Sequence, residues 1–236
     1  MIGRGIRRFY KTVTVSGDGS AFVVELDGKP VKTPRRSVLS VPTHRLAQAI
    51  AEEWLAQEGT LDPATMPQTA LAFAAVDTVA THQARISEEI LAYARTDLLC
   101  YRAEAPVTLV ERQSAAWDPL LDWAANALGV KLLVGKGIAF VEQPSASLNR
   151  LADLIDLRDA FGLAALHGAT AITGSLIVAL AIAEGRLDAT EAFALSHLDE
   201  TFQSESWGID AEAAARRRRL QSDLEAIEHF LHLVRP

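Results

Sequence analysis

Cysteine is almost missing from this chain. Cys100 stands alone among 236 residues, which excludes an internal disulfide and points to a reducing compartment. It lies in "TDLLCYR" with no histidine close in sequence, and is expected to be a buried, inert thiol. Basic charge is also short. Lys and Arg number 23 against 30 Asp and Glu, for a net charge of -7 and a pI near 5.4. A general nucleic-acid binder needs clustered cations to displace counterions from phosphate, so no nucleic-acid partner is expected. Phosphate-binding loops are lacking too: "GDG" and "GKG" are turn glycines, neither placed between a strand and a helix. ATP is therefore not an expected ligand, and no cofactor is. There is no "GxSxG" elbow, and Ser175 in "TGSL" has no acid near it in sequence, so it reads as a packing residue.

The N-terminal "MIGRGIRRFYK" is basic, has no apolar stretch of signal-peptide length, and is too short for a full transit peptide. The chain as given is expected to stay inside the cell. Residues 162–183, "GLAALHGATAITGSLIVALAIA", form a run of 22 without a formal charge, long enough to cross a bilayer. His167, Thr170, Thr173 and Ser175, with Gly and Ala as filler, make it far less apolar than a leucine-rich span, and no aromatic belt flanks it. It reads as one buried central helix, and no membrane insertion is expected.

Apolar residues, at 49% of the chain, are ample for a core. The expected fold class is α+β: a small antiparallel-sheet domain with a covering helix over 1–62, then a larger helical domain over 63–236. "YKTVTV" and "AFVVEL" read as strands joined by "SGDGS", and Asp27-Gly28 in "LDGKPVKTP" is a strong hairpin signal. "SVLSV" is a possible last strand. Thr43 is a fitting N-cap for a helix whose Leu46, Ile50 and Trp54 share one side and would cover the sheet. Everything after "GTLDPATMPQT" reads as helix, with a bend or break expected at Pro119. A β-like insertion near 130–142 has two short runs around Gly135 and Gly137, pairing with each other or returning to the first sheet. Asp188 with Glu191 has the form of a capping box, and Asp210 suits the start of the last helix.

Sites of chemistry are few, and no catalytic or metal residue is assigned. Glu225, Glu228, His229 and His232 in "EAIEHFLH" have helical metal-ligand spacing, which leaves a metal-dependent enzyme as an alternative reading beside a solvated helix end. His197 and Glu200 form a similar pair. "RRRR" at 216–219 reads as a solvated helix face, with Glu212 pairing Arg216 and Asp223 pairing Arg219. The residue hardest to explain is Glu205. In "LDETFQSESWGID" it falls on the same helical stripe as Leu195, Leu198 and Phe202, one turn before Gly208 should end the helix. A carboxylate there also faces the negative end of the helix dipole. Either the stripe has left the core and Glu205 is hydrated, or the side chain has a partner.

Seven segments in order, "RRFYKTVTV", "VELDGKPVKTP", "EEWLAQEGTLDPATMPQTALA", "RTDLLCYRAEAP", "AAWDPLLDW", "TGSLIVALAIAEG" and "LDETFQSESWGIDAE", resemble the assembly chaperones of the F-type ATP synthase that handle its alpha subunit. The resemblance implies a chaperone and not an enzyme, one that binds free alpha subunit and covers the surface later taken by the beta subunit. Such a protein is expected to be monomeric when free. Family members in eukaryotes work in the mitochondrial matrix, and this chain looks more like a bacterial, cytoplasmic member. A permanent structural subunit is a second alternative. The expected partner-contact residues are Glu200, Gln203, Glu205, Trp207 and Asp210, an acidic rim beside an aromatic anchor. In a different role, Glu205 pairs inward with an arginine of another helix.

Overall fold

The computed structural model describes residues 5–208 and 210–235, with the backbone alone for Ser206 and Trp207. The chain divides into two compact units, one of Met1–Gln83, Asp159–Ala165 and His229–Pro236, the other of Ala84–Arg158 and Leu166–Glu228.

In the first unit, β1 (Val13–Gly17) pairs antiparallel with β2 (Phe22–Leu26), Val13 opposite Leu26 and Gly17 opposite Phe22. Asp27 and Gly28 both take positive φ, 49° and 74°, the conformation that lets a two-residue turn follow the strand twist into β3 (Lys29–Pro30). Asp27 holds the turn in place by accepting hydrogen bonds from the backbone of Lys11 and Thr12. The "SVLSV" strand is realised as β4 (Ser40–Val41), paired with the start of β2. Thr43 caps α1 (His44–Leu55), whose Leu46, Ile50 and Trp54 are buried, and α1 packs on β1 and β2. From α1, the Glu53 carboxylate accepts from Gln68 N–H at 2.6 Å, Thr69 N–H at 2.8 Å and the Thr69 hydroxyl at 2.6 Å. It thereby satisfies donors at the start of α2 (Pro67–Ala74).

The later elements are α3 (Gln83–Arg95), β5 (Tyr101–Arg102), α4 (Val107–Trp123), β6 (Gly135–Lys136), α5 (Ser145–Asp156), α6 (Ala160–Thr173), α7 (Leu176–Ala183), α8 (Ala189–Ser196), α9 (Leu198–Trp207) and α10 (Ala211–Val234). Several expectations change here. The uncharged run is two helices, because Gly174 at φ 66° ends α6 and the Ser175 side chain then caps α7 by accepting from Val178 N–H. All eight residues of α7 are buried, as a helix without a polar face requires. Pro119 lies inside α4 without breaking it; the helix ends later, in a wide turn over residues 124–128 closed by Gly129 at φ 72°. The insertion pairs with neither anticipated partner: β6 runs parallel to β5 in a separate two-stranded sheet. Helices α8 and α9, expected as one, are separated at His197, whose ψ of 25° leaves the helical range. The Leu195 carbonyl, which a continuous helix would direct to Asp199 N–H, accepts the Trp117 indole N–H at 2.9 Å instead. The Asp188–Glu191 capping box forms as anticipated.

Asp97 explains why α7 sits where it does. The carboxylate is 0% exposed and accepts from the Ser175 hydroxyl at 2.7 Å, Leu99 N–H at 3.1 Å and Ile177 N–H at 3.2 Å. One acid therefore caps the 98–100 turn and the first turn of α7, and the acid absent around Ser175 in sequence is supplied in space. Burial pushes its pKa up to about 6, against hydrogen bonds from Ser175, Leu99, Ile177 and Leu176 that pull it down. The unfolded chain loses this proton near pH 4 and the folded chain near 6. Stability is therefore lost as pH rises through that window, because the native state holds more protons there. Urea titrations from pH 4 to pH 7 should show this decline in the wild type and a flatter profile in Asp97→Asn. Asp97→Ala, which orphans three buried donors, should cost about 3 kcal/mol or more.

Candidate functional site

Helix α9 presents two working faces, and 100° per residue decides which side chain belongs to which. Glu200, Gln203 and Ser204, one turn on from His197, line a cavity of about 880 Å³ with Asp210, Arg216 and Arg217. Leu198 and Thr201 line a second cavity of about 900 Å³, shared with Ala116, Phe193, Arg217 and Arg218. Arg217 borders both. Phe202 and Glu205 lie on the second side of α9, where the Arg112 guanidinium of α4 sits 5.2 Å from the Phe202 ring centre and donates to the Glu205 carboxylate at 2.7 Å.

This contact accounts for the carboxylate on the apolar stripe. Arg112 carries the stripe outward from Phe202 to Glu205, its guanidinium over the ring and its N–H on the acid. Leu195 is on α8 and so is not part of this stripe. Both members of the ion pair are about half exposed, 51% and 50%, so water screens the attraction. Gly208 ends α9 at φ 82°, as expected. Of the five anticipated contact residues, Glu200, Gln203 and Asp210 share one cavity and Glu205 lies apart from it on Arg112. The side chain of Trp207 lies outside the described residues. The anticipated acidic rim carries cations as well, since Arg216 and Arg217 line the same cavity.

The four consecutive arginines do not form the expected pairs. Among the described residues neither Glu212–Arg216 nor Asp223–Arg219 is an ion pair, and such exposed pairs are worth only about 0.3–0.5 kcal/mol on a helix. Arg217 instead donates to the Thr201 hydroxyl at 2.8 Å and lies 5.9 Å from the Phe193 ring centre. His197 stacks on that same ring at 3.9 Å. Burial lowers the His197 pKa below the ordinary imidazole value, with Glu200 opposing.

Residues 7–125 match the family model described as ATP12 chaperone protein. The chain belongs to the ATP12 chaperone family. Members of this family are chaperones of ATP synthase assembly. The chain is 28% identical over 214 residues to the mitochondrial protein atp12 of Schizosaccharomyces pombe, covering 86% of this chain and 74% of that one. It is 42% identical to Atp12 from Paracoccus denitrificans, whose crystal structure it matches with a TM-score of 0.94 over 97% of this chain and 98% of that one. A protein of Agrobacterium tumefaciens matches at 41% identity and a TM-score of 0.93, over 97% and 86% of the two chains. The fold class of this family, a small antiparallel sheet followed by a larger helical region, is the one seen here. No described helix is long and apolar enough to cross a membrane.

The C-terminal helix of this ATP12-family chain uses its carboxylates differently from a metal site. Glu228 accepts from Ala189 N–H at 2.9 Å at the start of α8, and Glu225 accepts from Gln221 at 3.1 Å on its own helix. Among the described residues no group of three or more His, Cys, Asp or Glu is arranged to hold a metal ion. Sequence reading missed the residues that hold the α9 face. Gln113 is buried, accepts from Ala103 N–H at 2.8 Å and donates to Asp199 at 2.7 Å, while Trp117 fixes the α8–α9 corner. Their one legible signal is polar atoms on the apolar stripe Leu109, Gln113, Trp117, Leu120 of α4. Arg102 is 4% exposed, donates to Leu99 O and Asp118, and stacks 5.0 Å from the Trp117 ring centre. A double-mutant cycle of Arg112→Ala and Glu205→Ala should give a coupling below about 1 kcal/mol that shrinks further in high salt, read from urea melts.

Proposed function

We propose that this chain binds the free alpha subunit of the F-type ATP synthase head and shields it until the beta subunit takes its place. The observation that carries the reading is its likeness over nearly its whole length to ATP12-family proteins, with a TM-score of 0.94 to Atp12 from Paracoccus denitrificans. A holdase of this kind performs no chemistry, so we infer that the chain is not an enzyme and needs no cofactor. It acts as a monomer when free, in the cytoplasm of a bacterium or, in a eukaryote, in the mitochondrial matrix.

The contact face in this reading runs along α9 and past its end: Glu200, Gln203, Glu205, Trp207 and Asp210. Three features support that choice. The side chains of Glu200, Gln203, Glu205 and Asp210 are exposed, they come from one helix and its exit, and they stand beside the cations Arg216 and Arg112. Such mixed-charge surfaces set orientation and encounter rate more than raw affinity. The Glu205–Arg112 pair is half exposed and so is exchanged for a contact with the client at little cost.

Co-expression with the alpha and beta subunits of its own organism, separately, should yield a soluble complex with alpha that added beta displaces. The finished ATPase head should not retain the chain; retention would favour a permanent subunit. Glu205→Gln should weaken capture of alpha by about tenfold while moving the melting temperature by less than about 2 °C. A large melting drop would instead make Glu205 a structural residue.

A further inference from the structure

The cavity of about 900 Å³ bordered by α4, α8, α9 and the N-terminal half of α10 has a chemical character distinct from the α9 face. Its walls are apolar where Ala116, Phe193 and Leu198 meet, and cationic where Arg112, Arg217 and Arg218 stand. Arg112 is paired with Glu205, whereas Arg217 and Arg218 have no carboxylate partner among the described residues. Arg217 is half-buried, and the one hydrogen bond its guanidinium makes among the described residues goes to the neutral Thr201 hydroxyl. The exposed Arg218 guanidinium has no hydrogen bond or ion pair among them. A guanidinium has five donors in a planar fork, best satisfied by a carboxylate.

We infer that this cleft receives an apolar side chain flanked by carboxylates, presented by the bound alpha subunit. The inference rests on the alpha-subunit reading and deepens it by naming the chemistry of the client segment. An apolar side chain would fill the space against Phe193 and Leu198, and neighbouring acids would reach Arg217 and Arg218. A nucleic acid fits less well, since α10 also exposes Glu212, Asp223 and Glu225 and the chain is acidic as a whole.

Three charge reversals on α10 separate the cleft from bulk charge. Arg218→Glu alters an exposed cleft residue with no internal partner, Arg217→Glu with Arg218→Glu reverses two of the three cleft cations, and Arg219→Glu makes the same charge change at an exposed position outside the cleft. Affinity for purified alpha subunit would be measured for each at about 50 and about 300 mM NaCl. Arg218→Glu should bind about tenfold more weakly at low salt, the double variant more weakly still, and Arg219→Glu within about twofold of wild type. Equal losses for Arg218→Glu and Arg219→Glu, or wild-type binding by Arg218→Glu, would overturn the cleft assignment while leaving the alpha-subunit reading intact. A wild-type chain that fails to bind alpha would remove both. The folded state of each variant is checked by its urea melt, and Arg218→Glu, which breaks no hydrogen bond or ion pair among the described residues, keeps the test decisive if the double variant is destabilised.

Discussion

A carboxylate buried without a counter-charge organises the helical unit. Asp97 has no cation partner among the described residues; its charge is met by backbone N–H groups and a hydroxyl that converge from the 98–100 turn and the start of α7. Burying an acid this way costs free energy, expressed as the raised pKa, and it is tolerated because the alternative leaves helix-start donors unsatisfied. The consequence is geometric. With Gly174 ending α6 and Asp97 receiving the next turn, the fully apolar α7 enters the core at one register, where it packs on α4.

Helix α4 passes that order on. Its buried side bears Gln113 and Trp117, polar-tipped residues whose hydrogen bonds leave the helix for Asp199 and the Leu195 carbonyl. Its exposed side bears Arg112, which meets Phe202 and Glu205. The corner between α8 and α9 and the contacts along α9 therefore both involve α4. Buried bonds fix the backbone, and the surface above it is left to pairs that water screens.

Charge tells a similar story at the scale of the chain. The net charge of -7 describes the whole chain, yet two clefts of the second unit share Arg217 and hold further arginines. Local charge and net charge are independent quantities, and recognition depends on the local one within a Debye length of about 8–10 Å. The run "RRRR" spreads around α10, so its members serve different clefts: Arg216 lines one, Arg218 the other, and Arg217 both.

Short-range physics is what the sequence by itself determined. The Asp27-Gly28 turn, the Thr43 cap, the Asp188–Glu191 box, the Leu46–Ile50–Trp54 stripe and the Gly208 stop each depend on residues a few positions apart, and each is present. The α+β class and the family resemblance were legible for the same reason, as ordered local motifs. Tertiary structure alone decided what joins distant positions. Asp97 meets Ser175 across 78 residues, Trp117 meets Leu195 across 78, and Arg112 meets Glu205 across 93. No periodicity encodes such pairs, because each needs both partners' helices already packed. Ser175 therefore read as having no acid, α8 and α9 read as one helix, and Glu205 read as a misplaced carboxylate until the fold brought Arg112 to it.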